Sequence, residues 1–576
     1  MNVFETTETL PVVPHDLSIP QFFLDYEGNE KLINNGRSVR GLEPNPWFIE
    51  EKTGRRIGLN EIRSRSFGLA NALSARYDIV KDDVVLIFSR NHVDYPIAIW
   101  AVHRLGGIVS GANPDFVSNE LLYQIQTCNA KLILVHPDAL ETAVTAASHA
   151  GIALDRVIVF DVDGRNAPQG YQSVAKLICE GLNQPTHFVE PKIDARTKLA
   201  FLSFSSGTTG KPKAVAIPHF SVIINVIQMA MHFKVFQEYA PWRERRFRPG
   251  DIAIGVLPIY HIYGLVLNNE SIVHQMSLVL VEKFSFVKML ELIERYRISH
   301  LMLVPPHIVL FCKQTQLLQN YALGSVRFIM VGAAPLSNEV NSQIFNIFPE
   351  AHIGQAYGMT ETCTSVSAFP ITKKRGTAGS ESAFEPTLTR ILKEDGSFGT
   401  FDEPGELCIW SPSNALGYYE NEEATRETFV DGWVRTGDEA KIDRNLELWI
   451  MDRIKEIMKV RGFQVAPAEL EGCILDHPDV NDTCVVGIPD DYSGEVPLAF
   501  VVLKDEASAR AERSVEENAK VKASIQKHVS DNKVYYKRLA GGVEIVSTIP
   551  KNPSGKLLRR VLREKAKHLK RPTTKL

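Results

Sequence analysis

The sequence Ser205-Ser206-Gly207-Thr208-Thr209-Gly210-Lys211-Pro212-Lys213 directly follows the apolar run Leu199–Phe204. A strand that ends in a loop of glycines and hydroxyl residues can direct backbone N–H groups and side-chain donors at phosphate oxygens. The spacing differs from the Walker pattern GxxxxGK[ST], so the mechanics of P-loop kinases do not transfer. We therefore predict a phosphate-binding loop, made of Ser205, Ser206, Gly207, Thr208, Thr209, Gly210 and Lys213.

Short apolar runs alternate with amphipathic stretches on both sides of this loop, over the first two-thirds of the chain. Strands separated by helices imply crossover connections and mostly parallel sheets that are covered on both faces. The predicted strands are Val84–Phe88, Ile108–Ser110, Lys131–Val135, Val157–Phe160, Leu199–Phe204, Ile252–Leu257, Leu278–Val281, Leu301–Val304 and Arg327–Val331. We expect a large α/β domain.

The pattern changes after about Asp452, where fewer elements follow. A helix near Ala468–Leu475, strands near Thr483–Gly487 and Leu498–Leu503, and a polar helix near Val515–Val529 indicate a small α+β domain. We predict domains at residues 1–452 and 453–576, with a hinge in the charged run after Asp452.

Bulk composition excludes several classes of protein. A chain of 576 residues exceeds what one hydrophobic core usually serves. The formal net charge of −4 gives no reason to expect nucleic acid or an anionic membrane as a partner. The seven cysteines form no CxxC pair, as expected of thiols in a reducing compartment. We see no signal-type segment and no apolar run long enough to span a bilayer, so we expect a soluble intracellular protein.

Further short motifs follow the loop in a fixed order. They are Tyr357-Gly358-Met359-Thr360-Glu361, Gly432-Trp433-Val434-Arg435-Thr436-Gly437-Asp438, Asp452-Arg453-Ile454-Lys455-Glu456, residues 462–471 and Pro553-Ser554-Gly555-Lys556. In these motifs the chain resembles the adenylate-forming (AMP-binding) superfamily of acyl-CoA synthetases, and most of all its 4-coumarate–CoA ligase-like branch. The resemblance extends from about Arg55 to Leu558. It implies the adenylate-forming enzyme fold, a large α/β N-terminal domain with a small mobile C-terminal domain.

The resemblance assigns a nucleotide site. It implies that Tyr357 stacks on adenine, that Thr360 contacts the α-phosphate and that Glu361 holds Mg²⁺, whose preference for carboxylate oxygen fits this role. Asp438 and Arg453 match the residues that reach the ribose. The remaining residues implied at the ATP/AMP site are Gly332, Ala333, Ala334, Gln355, Ala356 and Gly358.

The resemblance also assigns catalytic, acyl and CoA-stage residues. Lys556 matches the lysine that bridges the acid and the α-phosphate, His261 lies at the mouth of the acyl pocket, and Lys459 belongs to the thioester stage. Lys455 matches the hinge about which the small domain rotates. The acyl pocket is implied at Tyr263, Gly332 and Ala356, and the CoA stage at Gly462, Phe463 and Gln464.

The implied reaction joins a carboxylic acid to CoA through an acyl-adenylate, with ATP, CoA and Mg²⁺. Tyr263 and the small residues favour an aromatic or medium-length acid, and a secondary metabolite pathway fits. Three alternatives stay open: an enzyme that loads a carrier protein, a luciferase-like oxidative user of the adenylate, and an inactive binding module. Retention of the motif lysines and carboxylates argues against the last.

Two features of the sequence lie outside these motifs, one at the C-terminus and one in a charged internal segment. Thr574-Lys575-Leu576 resembles the peroxisomal Ser-Lys-Leu address. We expect recognition by a peroxisomal import receptor, with a cytoplasmic location as the alternative. The charged segment Tyr239–Arg248 is expected to be an exposed insertion. Monomer and homodimer are equally compatible with the sequence.

Overall fold

The computed structural model describes residues 3–4, 10–26, 47–162, 164–165, 167–205, 212–334, 336, 338–376, 381–454, 456–460, 463–490, 493–533, 535–551 and 557–569. Thr574–Leu576 lie outside these residues, so the targeting signal stays a prediction. Nowhere in these ranges is there a helix both long and apolar enough to cross a bilayer.

The first sheet contains the two strands that flank residues 206–211. In chain order, the first elements are β1 (Phe48–Glu50), β2 (Arg56–Ile57), α1 (Leu59–Tyr77), β3 (Val84–Phe88), α2 (Asp94–Arg104), β4 (Ile108–Ala112), α3 (Ser118–Cys128), β5 (Ala130–Val135), α4 (Leu140–Ala150), β6 (Val157–Val159), α5 (Val174–Leu182), β7 (Leu199–Ser205) and β8 (Lys213–Pro218). The strand order is β6-β5-β3-β4-β7-β8. All pairs are parallel except the β7–β8 hairpin. Strand β3 is buried throughout, as its continuous apolar run predicts.

The second sheet combines a parallel and an antiparallel part. Its region contains α6 (His219–His232), β9 (Ile252–Gly255), α7 (Ile262–Val273), β10 (Ser277–Leu280), α8 (Phe286–Tyr296), β11 (His300–Leu303), α9 (Pro305–Lys313), α10 (Thr315–Leu318), β12 (Phe328–Val331), α11 (Asn338–Ile347), β13 (His352–Met359), β14 (Thr364–Ala368), β15 (Glu381–Ala383), β16 (Leu388–Leu392), β17 (Gly405–Trp410), α12 (Glu422–Thr428), β18 (Phe429–Val430), β19 (Trp433–Ile442) and β20 (Glu447–Arg453). Strands β1, β10, β9, β11, β12 and β13 run parallel, and β2 pairs antiparallel with β1 at the edge of this sheet. The predicted parallel α/β character is confirmed by these strands and by the first sheet. The antiparallel strands β14 to β20, which extend the same sheet, were not predicted.

A third sheet forms entirely from residues after Arg453. The elements are β21 (Met458–Val460), β22 (Phe463–Val465), α13 (Pro467–Leu475), β23 (Val480–Asp490), β24 (Gly494–Leu503), α14 (Asp505–Ala511), α15 (Val515–Asn532), β25 (Gly542–Ile545) and α16 (Arg559–Lys567). The strand order is β22-β21-β24-β23, and β25 pairs with β24. The predicted α+β character of this piece is confirmed, while the boundary at Asp452 stays a prediction.

The charged segment Tyr239–Arg248 is only partly the exposed insertion that its composition predicts, because residues 241–244 are exposed while Arg245, Arg246 and Phe247 are buried. Arg246 is 1% exposed, and its guanidinium donates to the carbonyl oxygens of Phe369, Pro370 and Lys373. The same group lies 4.2 Å from the centroid of the Phe369 ring. Backbone carbonyls accept from both terminal nitrogens of this buried cation, so the segment ties the loop after β14 to the core.

Candidate functional site

The hairpin β7–β8 carries the ends of the predicted phosphate loop. Ser205 and Lys213 pair across it in antiparallel register. Lys213 therefore begins a strand, where the sequence indicated only a loop. Ser206, Gly207, Thr208, Thr209 and Gly210 lie outside the described residues, so their phosphate contacts stay predictions.

Lys213 belongs to a cluster that includes a tyrosine which the sequence did not reveal. The chain around Tyr418 pairs with β8, through bonds such as Tyr419 N–H to the Ala214 carbonyl at 2.8 Å. Lys213 Nζ lies 4.8 Å from the centroid of the Tyr418 ring, and Tyr418 Oη donates to Glu361 Oε1 at 2.8 Å. The tyrosine thus links the predicted phosphate lysine to the predicted magnesium ligand. Its only sequence signal is an aromatic pair after Gly417, which carries no distinctive chemistry.

A tight reversal at the end of β13 holds Thr360 and Glu361. Both side chains are buried in the short helical turn Thr360–Thr362. The following Thr364 has a φ of 98°, which is rare for a threonine. A Cβ added at Gly358 would lie 1.7 Å from the Thr364 carbonyl oxygen. Glycine at position 358 is therefore a steric requirement of the turn that presents Glu361.

Tyr357, Asp438 and Arg453 form a second cluster. Asp438 and Arg453 are direct partners in the β19–β20 register. Tyr357 Oη donates to Asp438 Oδ2 at 2.7 Å, and Arg453 Nε lies 3.3 Å from Asp438 Oδ1. Burial, reinforced by the Asp438 charge, raises the pKa of Tyr357 well above its usual 10, so its hydroxyl stays a donor. The structure brings these three predicted residues together.

The two clusters lie side by side. Burial raises the pKa of both Tyr357 and Tyr418, and the positive charge of Arg453 opposes the rise at both. Tyr357 and Glu361 are four residues apart at the end of β13, so the chain itself holds the two clusters next to each other. The site therefore presents a lysine, an arginine and two carboxylates within one region, a charge pattern suited to a nucleotide with a bound cation.

The predicted acyl-pocket residues also meet. His261 caps the N-terminus of α7, and its Nδ1 accepts from the Tyr263 backbone N–H at 3.4 Å. A Cβ added at Gly332 would lie 3.2 Å from Tyr263 Cε1 and 3.5 Å from the Ala356 carbonyl oxygen. Any larger residue at position 332 would press against the tyrosine ring. Because glycine has no side chain, the backbone at position 332 can lie directly against the Tyr263 ring.

The segment after β12 lies beside these residues. Gln355 Oε1 accepts from the Leu336 N–H at 3.0 Å, which ties this segment to β13. Ala333 has a φ of 71°, an uncommon value for a non-glycine residue that is often associated with functional segments. Ala334 is half-buried next to it.

Sequence profiles of two families match the chain. The AMP-binding enzyme profile covers residues 39–419, and the AMP-binding enzyme C-terminal domain profile covers residues 469–556. The chain belongs to the AMP-binding enzyme family. The match covers the loop at 205–213 and the cluster of Lys213, Tyr418 and Glu361, so Tyr418 is within the family's own domain.

Relatives of known sequence and solved structures support the same family and the same fold. The chain is 32% identical over 540 residues to 4-coumarate-CoA ligase 1 of Narcissus pseudonarcissus, covering 92% of each chain. It is 34% identical over 536 residues to 4-coumarate–CoA ligase 2 of Solanum tuberosum, covering 90% of each. ATP-bound MatB of Rhodopseudomonas palustris shares the fold with a TM-score of 0.78, at 24% identity and 96% and 99% coverage. A benzoate CoA ligase of Burkholderia xenovorans LB400 shares the fold with a TM-score of 0.77, at 18% identity and 95% and 100% coverage.

The remaining predicted site residues of this AMP-binding enzyme lie in its last part. Lys455, Gly462 and Lys556 are outside the described residues. Lys459 and Gln464 are placed on β21 and β22 by their backbone alone. Phe463 is 45% exposed and stacks on Tyr536, with ring centroids 4.3 Å apart. The roles of these residues stay predictions.

Proposed function

We propose that this AMP-binding enzyme is an ATP-dependent acid–CoA ligase that forms AMP and pyrophosphate through an acyl-adenylate. The observation that carries the proposal is the pair of adjacent clusters, Tyr357–Asp438–Arg453 and Lys213–Tyr418–Glu361. The first offers an aromatic face, a carboxylate and an arginine, which suit adenine and ribose. The second offers a cation and a carboxylate, which suit phosphate and a metal ion. The names of the 4-coumarate–CoA ligase relatives support the same activity.

Glu361 would hold the magnesium ion of the bound nucleotide. Its carboxylate is buried and fixed by Tyr418, which leaves a hard oxygen ligand beside the phosphate lysine. A single protein carboxylate fits Mg²⁺, which usually completes its shell with water and substrate phosphates. When bound, the ion would neutralise phosphate charge. Lys213 would neutralise part of the same charge.

The chemistry requires two steps over one site. A carboxylate oxygen of the acid attacks the α-phosphorus, and the bond to the β-phosphate oxygen breaks to release pyrophosphate. The CoA thiol then loses its proton and attacks the acyl carbon, and AMP leaves with the electrons of the acyl–oxygen bond. We propose Lys556 as the cation that lets the two anions meet in the first step. The 453–576 part would rotate about Lys455 to present Lys459 and the 462–464 segment for the second.

The acid would lie against the surface formed by Tyr263, Gly332 and Ala356, with its carboxylate near His261. The narrow contact between Gly332 and the tyrosine ring favours a flat or slender acid. An aromatic or medium-chain acid therefore fits best.

The proposal is tested by pyrophosphate release with and without CoA, across cinnamic, benzoic, phenylacetic, medium-chain and long-chain acids. We expect CoA-stimulated turnover with one class of acid, together with formation of its CoA ester. Pyrophosphate exchange without any CoA ester would retain adenylation and refute CoA as the acceptor.

The Lys556→Ala variant tests whether this lysine acts in the adenylation step and not in ATP binding. We expect it to bind ATP normally and to lose most pyrophosphate release, since a preorganised charge at the reacting centre is worth roughly a hundredfold or more in rate. Lys567→Ala, which removes an exposed lysine paired with Glu564, is the matched control and should keep wild-type rates. Unchanged pyrophosphate release in Lys556→Ala would refute the role of that lysine.

A further inference from the structure

Arg559, the first residue of α16, lies between two carboxylates that come from different parts of the chain. Its Nη1 donates to Glu456 Oε2 at 2.5 Å, and its Nη2 donates to Glu471 Oε2 at 2.7 Å. All three side chains are only about one-tenth exposed. Glu471 is itself fixed, because its Oε1 accepts from the Val485 N–H at 2.8 Å. A planar guanidinium that donates to two carboxylates holds both in defined directions, which a lysine ammonium does not.

The stability of the small domain alone gives little reason for an arginine at this position. A cation at the N-terminus of a helix meets the positive end of the helix dipole. Apolar residues can often replace a buried ion group without loss of stability. The same face of α16 already packs on the core through Leu562 and Ala566, and an apolar residue at position 559 would extend that face. The ion group therefore points to a requirement for a defined position of the chain.

The segment that Arg559 anchors is the one that carries Lys556. Lys551 and Leu557 form an antiparallel bridge, so the chain enters and leaves residues 552–556 at the same place. The entering side is tied by Lys551 Nζ, which donates to Asp482 Oδ2 at 2.6 Å. The leaving side is tied by Arg559. Three residues span at most about 11 Å, so the backbone of Lys556 is on a short tether from this arginine.

The other end of the same ion pair leads to the nucleotide cluster. The Glu456 N–H donates to the Arg453 carbonyl oxygen at 2.8 Å, and Arg453 Nε lies 3.3 Å from Asp438 Oδ1. A continuous series of contacts thus runs from Asp438 through Arg453 and Glu456 to Arg559. Glu456 comes after the predicted hinge residue Lys455, so the ion pair lies on one side of the hinge and would rotate as a unit.

We infer that Arg559 is a positioning residue for the adenylation step, and that its ion pair with Glu456 sets the place of Lys556 relative to the bound nucleotide. The inference rests on the proposed function, because it takes Lys556 as the cation of the first step. Misplacing such a group by about 1 Å can cost on the order of a hundredfold in rate. The second step does not use Lys556 and should not depend on Arg559 in the same way.

The test measures the two steps separately on the full-length protein. The first is single-turnover pyrophosphate release from ATP with the best acid of the panel above. The second is formation of the CoA ester from the synthetic acyl-adenylate of that acid and CoA. We expect Arg559→Met to slow the first step about 10- to 100-fold, while the Kd for ATP and the rate of the second step stay within about threefold of wild type. A merely structural role would lower both steps together.

Further variants assign the effect to the ion pair. Arg559→Lys keeps the charge without the two-pronged geometry, so it should recover part of the lost rate. Glu456→Gln should slow the first step as well, and the double variant with Arg559→Met should be no slower than the slower single variant, because both changes break one contact. The matched control is Arg560→Met, which removes the exposed neighbouring arginine of α16 and should keep wild-type rates. If Arg559→Met does not fold, Glu456→Gln decides, because Arg559 then keeps Glu471 as a partner.

Three results would overturn the inference: wild-type adenylation in both Arg559→Met and Glu456→Gln, an equal loss in both steps, or an equal loss in Arg560→Met. Failure of the proposed function would look different. Absence of pyrophosphate release from wild type with every acid, or an unchanged release in Lys556→Ala, would refute the role on which the inference rests. Loss of adenylation in Lys556→Ala, together with its retention in Arg559→Met, would leave the ligase standing and refute only the positioning role.

Discussion

Glu270→Gln removes a buried carboxyl group and keeps its size and its place on α7. Burial raises the pKa of Glu270 from its ordinary 4.5 to about 8, so the folded chain keeps a proton that the unfolded chain releases. The stability that this proton contributes is complete below the unfolded pKa and is lost as the pH rises through the folded pKa. Three pH units, from about pH 5 to pH 8, correspond to a loss on the order of 4 kcal/mol.

The surrounding groups do not titrate in this window. Burial raises the pKa of Tyr263 above its usual 10 and lowers the pKa of His274 to about 3. Burial also lowers the pKa of His300, whose charge bears on His274, to about 4. All three stay neutral between about pH 5 and pH 8. The pH-dependent difference between wild type and Glu270→Gln therefore reports Glu270 alone.

The assay is the melting temperature of both proteins across this range, by scanning calorimetry at one scan rate. Unfolding entropy of about 2.1 cal/mol/K per residue over 576 residues gives about 1.2 kcal/mol/K. The advantage of wild type over Glu270→Gln should thus fall by roughly 3 °C between about pH 5 and pH 8. Glu291→Gln, on the exposed face of α8, is the control in which the carboxyl is solvated, and the difference of its melting temperature from that of wild type should stay constant across the range. A constant difference across the range would refute a buried, protonated Glu270.

Three further variants probe the nucleotide site. Asp438→Ala should weaken ATP binding about 10- to 100-fold, because it removes a charged acceptor of hydrogen bonds, as measured by titration calorimetry; wild-type affinity would contradict the ribose role. Tyr418→Phe keeps the ring and loses the bond to Glu361, so the Kd for Mg·ATP should rise about fivefold, and an unchanged Kd would argue against the link. Gly358→Ala places a Cβ 1.7 Å from the Thr364 carbonyl. It should destabilise the fold by about 1–3 kcal/mol or more and abolish ATP binding, and a wild-type melting temperature would contradict the steric argument.

The strands of the parallel sheets could be predicted because they are buried on both faces. Val84–Phe88 and Leu199–Phe204 are continuous apolar runs, and the structure has strands at Val84–Phe88 and Leu199–Ser205. The antiparallel part gives a weaker signal. In β19, buried positions alternate with exposed and intermediate ones as far as Asp438, and the buried Glu439 then interrupts the alternation. Such a strand cannot be recognised in the sequence by a continuous apolar run of typical strand length.

The sequence predicts those residues of the candidate site that belong to short, recognisable motifs. Tyr357, Asp438 and Arg453 are far apart in sequence, and each sits in a recognisable run of residues. Tyr418 does not, and it enters the site only because its segment pairs with β8. Arg246 was missed for a related reason, because a charged run indicates an exposed surface unless backbone carbonyls are known to surround it.

Glu270 is the strongest case of a group that sequence cannot assign. In the run Leu267-Asn268-Asn269-Glu270 it reads as one polar residue near the end of a helix, and such residues are usually solvated. Only the packing of α7 removes every water-facing side, so the carboxyl is both neutral and unpaired. A protein could avoid that cost with leucine at the same position, as it does one turn earlier at Leu267. The cost of retaining a carboxyl there is what the pH-dependent stability of Glu270→Gln measures.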